Sequence, residues 1–200
     1  MPISPPPVTP RSQPRREHLI EVAHALFNRH GFHQTGIDLI MRESGVSKTT
    51  LYKYFPAKED LVLEVLKLRS ARILGGMEER LRALLAAKPD ATSDERIGAI
   101  LDVIEAWIEG TAFFGCNFVR AAAEYSDPGH PIGEQAKEHK QALLALIADQ
   151  LEGQGEDACD HLASEILLII EGAISVAQVG YETAPVAVAR RLIALVLKGQ

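Results

Sequence analysis

The stretch TGIDLIMRESGVSKTTLYKYF, Thr35–Phe55, decides how this chain folds. Ile37, Ile40 and Met41 are spaced three and four residues apart, or nearly so, which places them on one face of a short helix over about 37–44. Thr35 and Asp38 stand as in a capping box, with aspartate in place of the usual glutamate. Gly45 permits a sharp turn, Val46 plugs the angle between the helices, and Ser47 caps a third helix over 48–54. Pro56 then stops it. Helix, glycine turn and capped short helix, in that order, predict a helix-turn-helix.

Upstream, Leu19, Ala23, Leu26 and Phe27 make one apolar stripe, predicting a supporting helix over 13–30 with Ser12 as its cap and Gly31 as its left-handed stop. Downstream, a helix begins near Lys58 with Glu59 and Asp60 at its positive end, and carries Leu61, Val65 and Leu68, spaced four and three apart, outward from the head. Its pattern is interrupted at Gly75-Gly76, resumes to Leu85 and breaks at Lys88-Pro89-Asp90. Thr92-Ser-Asp-Glu95 is a full capping box that opens a helix running to about Gly110. Further helices are expected over 114–125, 132–151, 157–179 and 185–197, the last with Thr183 as cap and Pro185 in its first turn. No run of alternating Val, Ile and Thr marks a strand. The expectation is an all-α chain of about nine helices: an arm over 1–12, a three-helix head over 13–57 and a helical body over 58–200.

Charge divides at the same place. Through Lys58 the chain carries eight Lys/Arg against four Asp/Glu; beyond it, thirteen against twenty-three. A basic head on an acidic body suits a head that meets a polyanion. Met1–Pro14 is proline-rich without the apolar run of a secretory signal, and Glu165, Glu171 and Gln178 interrupt the longest apolar stretch, so neither export nor a membrane span is expected. Cys116 and Cys159 fit no zinc or redox spacing, and a cytoplasmic location follows as the default. Asp157, His161 and Glu165 recur every four residues, a spacing that more often marks a solvated stripe than ligands; no metal or cofactor is expected.

The residues Ala25-Leu-Phe27, Gly31-Phe32, Thr35, Ile40, Gly45-Val-Ser47, Leu51-Tyr-Lys-Tyr-Phe55 and Lys58-Glu-Asp-Leu61 resemble, in order and spacing, the DNA-binding domain of the tetracycline-repressor (TetR) family. Ser44 and Ala57 depart from the usual alanine and capping serine. The resemblance implies a homodimer on double-stranded operator DNA, with an all-helical body that takes a small-molecule effector, and it implies regulation of transcription, most often repression relieved by that effector.

The residue types agree with that implication. A helix entering the major groove needs short or polar side chains near its start, which Lys48, Thr49 and Thr50 supply. Tyr52, Lys53 and Tyr54 match the family's phosphate-contacting positions, with Leu51 and Phe55 facing inward. Thr35 and Ser47 would offer hydroxyls to phosphates, Lys58 would clamp the backbone, and Arg11, Arg15 and Arg16 could reach the adjacent groove. In the body, Trp107, Phe113, Phe114, Phe118 and Tyr125 concentrate aromatic rings on two consecutive helices; Trp107, Phe114, Phe118 and Tyr125 are candidate lining for an effector pocket, against the reading of ordinary core. Ile166, Ile170, Gly172 and Ala173 mix bulky and small residues as a dimer seam does, against the reading of intramolecular core.

Two other functions compete. An enzyme lacks positive support, since no phosphate loop, dinucleotide fingerprint, metalloprotease motif or nucleophile elbow is present. A constitutive DNA binder without ligand would leave most of a body this large without a use.

Overall fold

The structure, a computed structural model, describes residues 13–151, 156–180 and 184–199. The described residues form nine helices and no strand: α1 (Gln13–His30), α2 (Ile37–Ser44), α3 (Lys48–Tyr54), α4 (Lys58–Ala87), α5 (Ser93–Ile108), α6 (Asn117–Glu124), α7 (Pro131–Ala148), α8 (Glu156–Gln178) and α9 (Pro185–Lys198). The expected all-α architecture is thus found. The proposed caps Ser12 and Thr183 lie outside the described residues.

In the head, α1 supports α2 and packs on the start of α4. Leu19, Ala23, Phe27, Ile40, Leu51 and Phe55 are buried together with Leu61, Val62 and Val65 of α4. The head core therefore includes the first turns of α4. One cap expectation is corrected. The N-cap of α2 is Gly36 and makes no side-chain bond, because Thr35 is turned inward: its hydroxyl donates to the Gly31 carbonyl at 2.7 Å and the residue is fully buried. At α4 the missing cap at Ala57 is offset by half a capping box, in which the Asp60 carboxylate accepts the Ala57 N–H at 2.9 Å.

Helix α4 runs unbroken for 30 residues, through Gly75 and Gly76. Glycine costs a helix about 1 kcal/mol per residue, and burial of Leu66, Met77 and Leu81 on either side offsets that. The helix is thus the common spine of head and body, with α5 and α7 packed along it. The capping box at Thr92 and Glu95 forms as expected, with Glu95 accepting the Thr92 N–H at 3.0 Å. Helix α6 starts three residues later than the sequence pattern suggests. Gly115, at φ +89°, turns the chain left-handed just before it, and a helix cannot propagate back through that residue. Helices α8 and α9 pack closely on each other and close the body.

Candidate nucleic-acid interface and internal cavity

Helix α3 is held from beneath and bare above. Leu51 and Phe55 are fully or nearly fully buried, while Ser47, Lys48, Thr49, Tyr52 and Lys53 are exposed and Thr50 is half-buried. Ser47 caps the helix as expected: its Oγ accepts the Thr50 N–H at 3.3 Å and shares a hydrogen bond with Thr50 Oγ1 at 2.9 Å. Amphipathicity thus turns one face of two helical turns into a hydroxyl-rich, cationic and aromatic surface of the kind that major-groove readers present.

Other candidates lie elsewhere. Thr35 is buried, so its hydroxyl cannot meet a phosphate. Tyr54 is half-buried with its ring 6.5 Å from that of Phe55. Lys58 is half-buried and donates to the His33 carbonyl at 3.4 Å; burial pushes its pKa down. Of the arginines, Arg15 is exposed, whereas Arg16 is engaged by Glu64 and lies over the Phe55 ring at 5.1 Å; Arg11 lies outside the described residues.

The aromatic candidates of the body separate into three places. Trp107 and Phe118 line a small cavity of about 30 Å³ between α4, α5, α6, α7 and α8. That is room for one water. Phe114 is 38% exposed and does not line it, because it precedes the Gly115 turn. Tyr125 is not in the cavity either. It stands seven residues beyond Phe118, a displacement of about 10 Å along a helix. That carries its ring into the joint with the head, 6.3 Å from Phe32 and 4.7 Å from His33. Burial there pushes its phenol pKa up to about 12.

Polar residues that the sequence reading missed share the cavity. Asn117 is 1% exposed and neither amide atom has a partner. His139 stacks on Phe118 at 3.6 Å and is hydrogen-bonded to Ser70 at 2.9 Å. Burial first, then the nearby Lys140 and Arg69 charges, lower its pKa to about 3, so the imidazole is neutral at pH 7. Lys140 donates to Glu171 at 2.6 Å and approaches the Cys116 sulfur at 3.5 Å. The Arg69 guanidinium lies 5.2 Å over Trp107. No sequence pattern signals this set, since its members come from four helices.

The joint between head and body was likewise unforeseen. At the end of α6 the Glu124 carboxylate accepts the N–H groups of Phe32 at 3.1 Å and His33 at 2.5 Å. One turn earlier, Arg120 donates to the Asn28 carbonyl at 3.0 Å and to that of Phe114 at 2.9 Å. Asn28 Nδ2 donates to the Ala112 carbonyl at 2.9 Å.

Comparison with known proteins bears on the head first. A family profile described as "Bacterial regulatory proteins, tetR family" matches residues 19–65, which includes α2, α3 and the start of α4. The crystal structure of SCO4454, a TetR-family transcriptional regulator from Streptomyces coelicolor, superposes with a TM-score of 0.80 at 26% identity, over 94% of this chain and 96% of that one. The chain carries a TetR-family DNA-binding domain. Its relatives include the HTH-type transcriptional regulator YjdC of Escherichia coli, 24% identical over 92% of this chain and 94% of that protein. Another is the HTH-type transcriptional repressor NemR of E. coli, 24% identical over 76% of this chain and 74% of that one. The chain is therefore a DNA-binding transcriptional regulator with a helix-turn-helix, not an enzyme.

In the body, the candidate dimer residues divide between two faces of α8. Ile166 and Ile170 are fully buried in the protomer's own core, which corrects their assignment to a seam. Gly172 is exposed and Ala173 borders the outer face, where Ile169, Val176 and Val179 meet Val188 and Leu192 of α9 around an open apolar groove of about 450 Å³. Four-residue spacing from Ile166 and Ile170 leads to the inward Ile174; the outer stripe is offset by about a third of a turn. Among the described residues no helix is long and apolar enough to cross a membrane.

Proposed function

We propose that this protein is a TetR-family repressor, bound to operator DNA as a homodimer and released by a small-molecule effector. Residues 13–57 serve as its DNA-binding domain and 58–200 as its ligand-binding and dimerisation domain. The observation that carries the reading is the span of α6. Its first turn, with Asn117 and Phe118, lines the cavity; its last residue, Glu124, holds the backbone of Phe32 and His33 in the head. A ligand that enlarges the cavity displaces one end of a two-turn rod whose other end grips the head.

Ser47, Lys48, Thr49, Thr50, Tyr52 and Lys53 form the DNA-reading surface, with Tyr54 and Lys58 holding it in place. Two copies joined through the outer faces of α8 and α9 would set their heads near one DNA turn apart, about 34–36 Å. Exposed Leu168, Val176, Val179, Val188, Leu192 and Leu195 supply the apolar area for that union. The name repressor carried by the NemR relative agrees with the sign of regulation.

The test is operator selection from genomic fragments, followed by release with candidate small molecules. A near-palindromic site that a small molecule frees is the expected result. Sequence-selective binding that no effector weakens would leave a constitutive regulator, and no selective binding at low salt would remove the DNA reading altogether.

A further inference from the structure

Charge and hydrogen bonding around the cavity are unbalanced, and the imbalance has a definite chemistry. Lys140 and Glu171 neutralise each other across 2.6 Å. His139 is neutral at pH 7. That leaves Arg69 as the remaining charge on the wall, and among the described residues it has no carboxylate partner: its Nη1 reaches only His24 Nε2, at 3.3 Å, and its buried Nε–H has no acceptor. Desolvation opposes the Arg69 charge, as expected of a cation held partly out of water without a counter-ion. On the wall of the same cavity, Asn117 keeps both amide atoms unpaired at 1% exposure. Buried polar atoms are nearly always satisfied, so unpaired ones clustered on a cavity wall mark where a ligand completes the bonding.

We infer that the effector is a small organic carboxylate, its anionic group received by Arg69 and Asn117 and its apolar part lying against Trp107 and Phe118. This rests on the effector reading proposed above and adds the chemical class. A carboxylate accepts from the Arg69 fork and from the Asn117 amide at once, and charge-assisted bonds of that kind are the strong ones. An amine would add a second unpaired cation beside Arg69, and a neutral molecule would leave the existing one uncompensated. The cavity, at about 30 Å³, is smaller than such a ligand, so binding must part the wall at α6. Drawing Arg69 toward the ligand also takes it from His24 of α1, a second link to the head.

The experiment is calorimetric titration of the full chain with acetate, benzoate and octanoate, and with the three corresponding primary amides. At least one carboxylate is expected to bind once per protomer, about tenfold or more tightly than its amide, since a charged hydrogen bond replaces a neutral one. Arg69→Met and Asn117→Leu should each abolish that preference. Asn117→Leu, which replaces two unpaired polar atoms by methyl groups in the same branched shape, should also raise the melting temperature of the ligand-free protein, a readout that shows the variant is folded. If amides bind as well as carboxylates and Asn117→Leu abolishes both, the anionic class is wrong and the cavity remains the effector site. If neither series binds, the inference and the cavity reading both fall.

Discussion

The carboxylate of Glu124 accepts the backbone N–H of Phe32 at 3.1 Å, so the last residue of α6 closes the turn that follows α1. The same carboxylate also receives the His33 N–H, and a Cβ on Gly31 would stand 2.9 Å from Glu124 Oε1. The body thus grips the head by its backbone, at a turn where a larger residue than glycine would push the grip apart. Side-chain substitution in the head leaves this bond in place; substitution at position 124 does not.

Glu124→Ala should therefore uncouple the two parts. Two N–H groups lose their acceptor, which costs about 1–3 kcal/mol in stability, read from urea denaturation. Operator affinity of the ligand-free protein should change little, while the effector's ability to lower it should shrink from its wild-type factor toward one. Reciprocal ligand titrations, with and without operator, check this, since coupling acts equally in both directions. Unchanged coupling would mean that the signal passes elsewhere.

On the reading surface, Lys48→Ala and Lys53→Ala should each weaken operator binding across sequences and reduce the slope of log affinity against log salt by about one. Both side chains are exposed, so stability should hold. Thr50→Ala should change base preference instead, because it removes the hydroxyl that Ser47 orients. Thr35→Ala should do neither: its hydroxyl bonds to Gly31, and the expected loss is about 1 kcal/mol of stability. Fluorescence anisotropy over a salt series, on cognate and altered sites, separates the three.

The two faces of α8 give a paired prediction. Gly172→Leu adds a side chain where no protomer atom lies within 4 Å of the new Cβ, so the monomer should keep its fold while sedimentation shows the dimer weakened by overpacking. Ile170→Ala should do the reverse. It opens a cavity in a fully buried position, at a cost of about 2–5 kcal/mol, without touching the outer face. A dimer intact in Gly172→Leu would place the seam on another surface.

His139 predicts a pH dependence. Its folded pKa, about 3, lies below its ordinary value of 6.5, so between those limits the unfolded chain binds the proton and the folded chain does not. The contribution is complete above pH 6.5 and is lost as the pH falls toward 3. His139→Gln should flatten that part of the curve, measured as melting temperature from pH 7.5 to 4. A variant with an unchanged acid limb would assign the dependence to carboxylates instead.

How the molecule divides between sequence and tertiary structure follows from the range of the forces involved. Helix content, the helix-turn-helix and its polar face were legible because capping and amphipathic spacing act within a few residues: Ser47 caps Thr50, Leu51 and Phe55 turn inward, and Thr92 pairs with Glu95 from one stretch of chain. Thr35 was misread because the same short range admits two outcomes. A threonine before a helix can cap it or bond back to the preceding turn, and only packing of α1 against α2 selects the second. The cavity and the joint were not legible at all. Arg69, Asn117, His139 and Glu171 come from four helices, and Glu124 meets Phe32 across ninety-two positions. Ile166 and Gly172 are equally apolar or small in sequence, yet one is core and the other surface. A helix has a single inward side, and its rotation is set by the neighbours it packs against, which no stretch of local sequence contains.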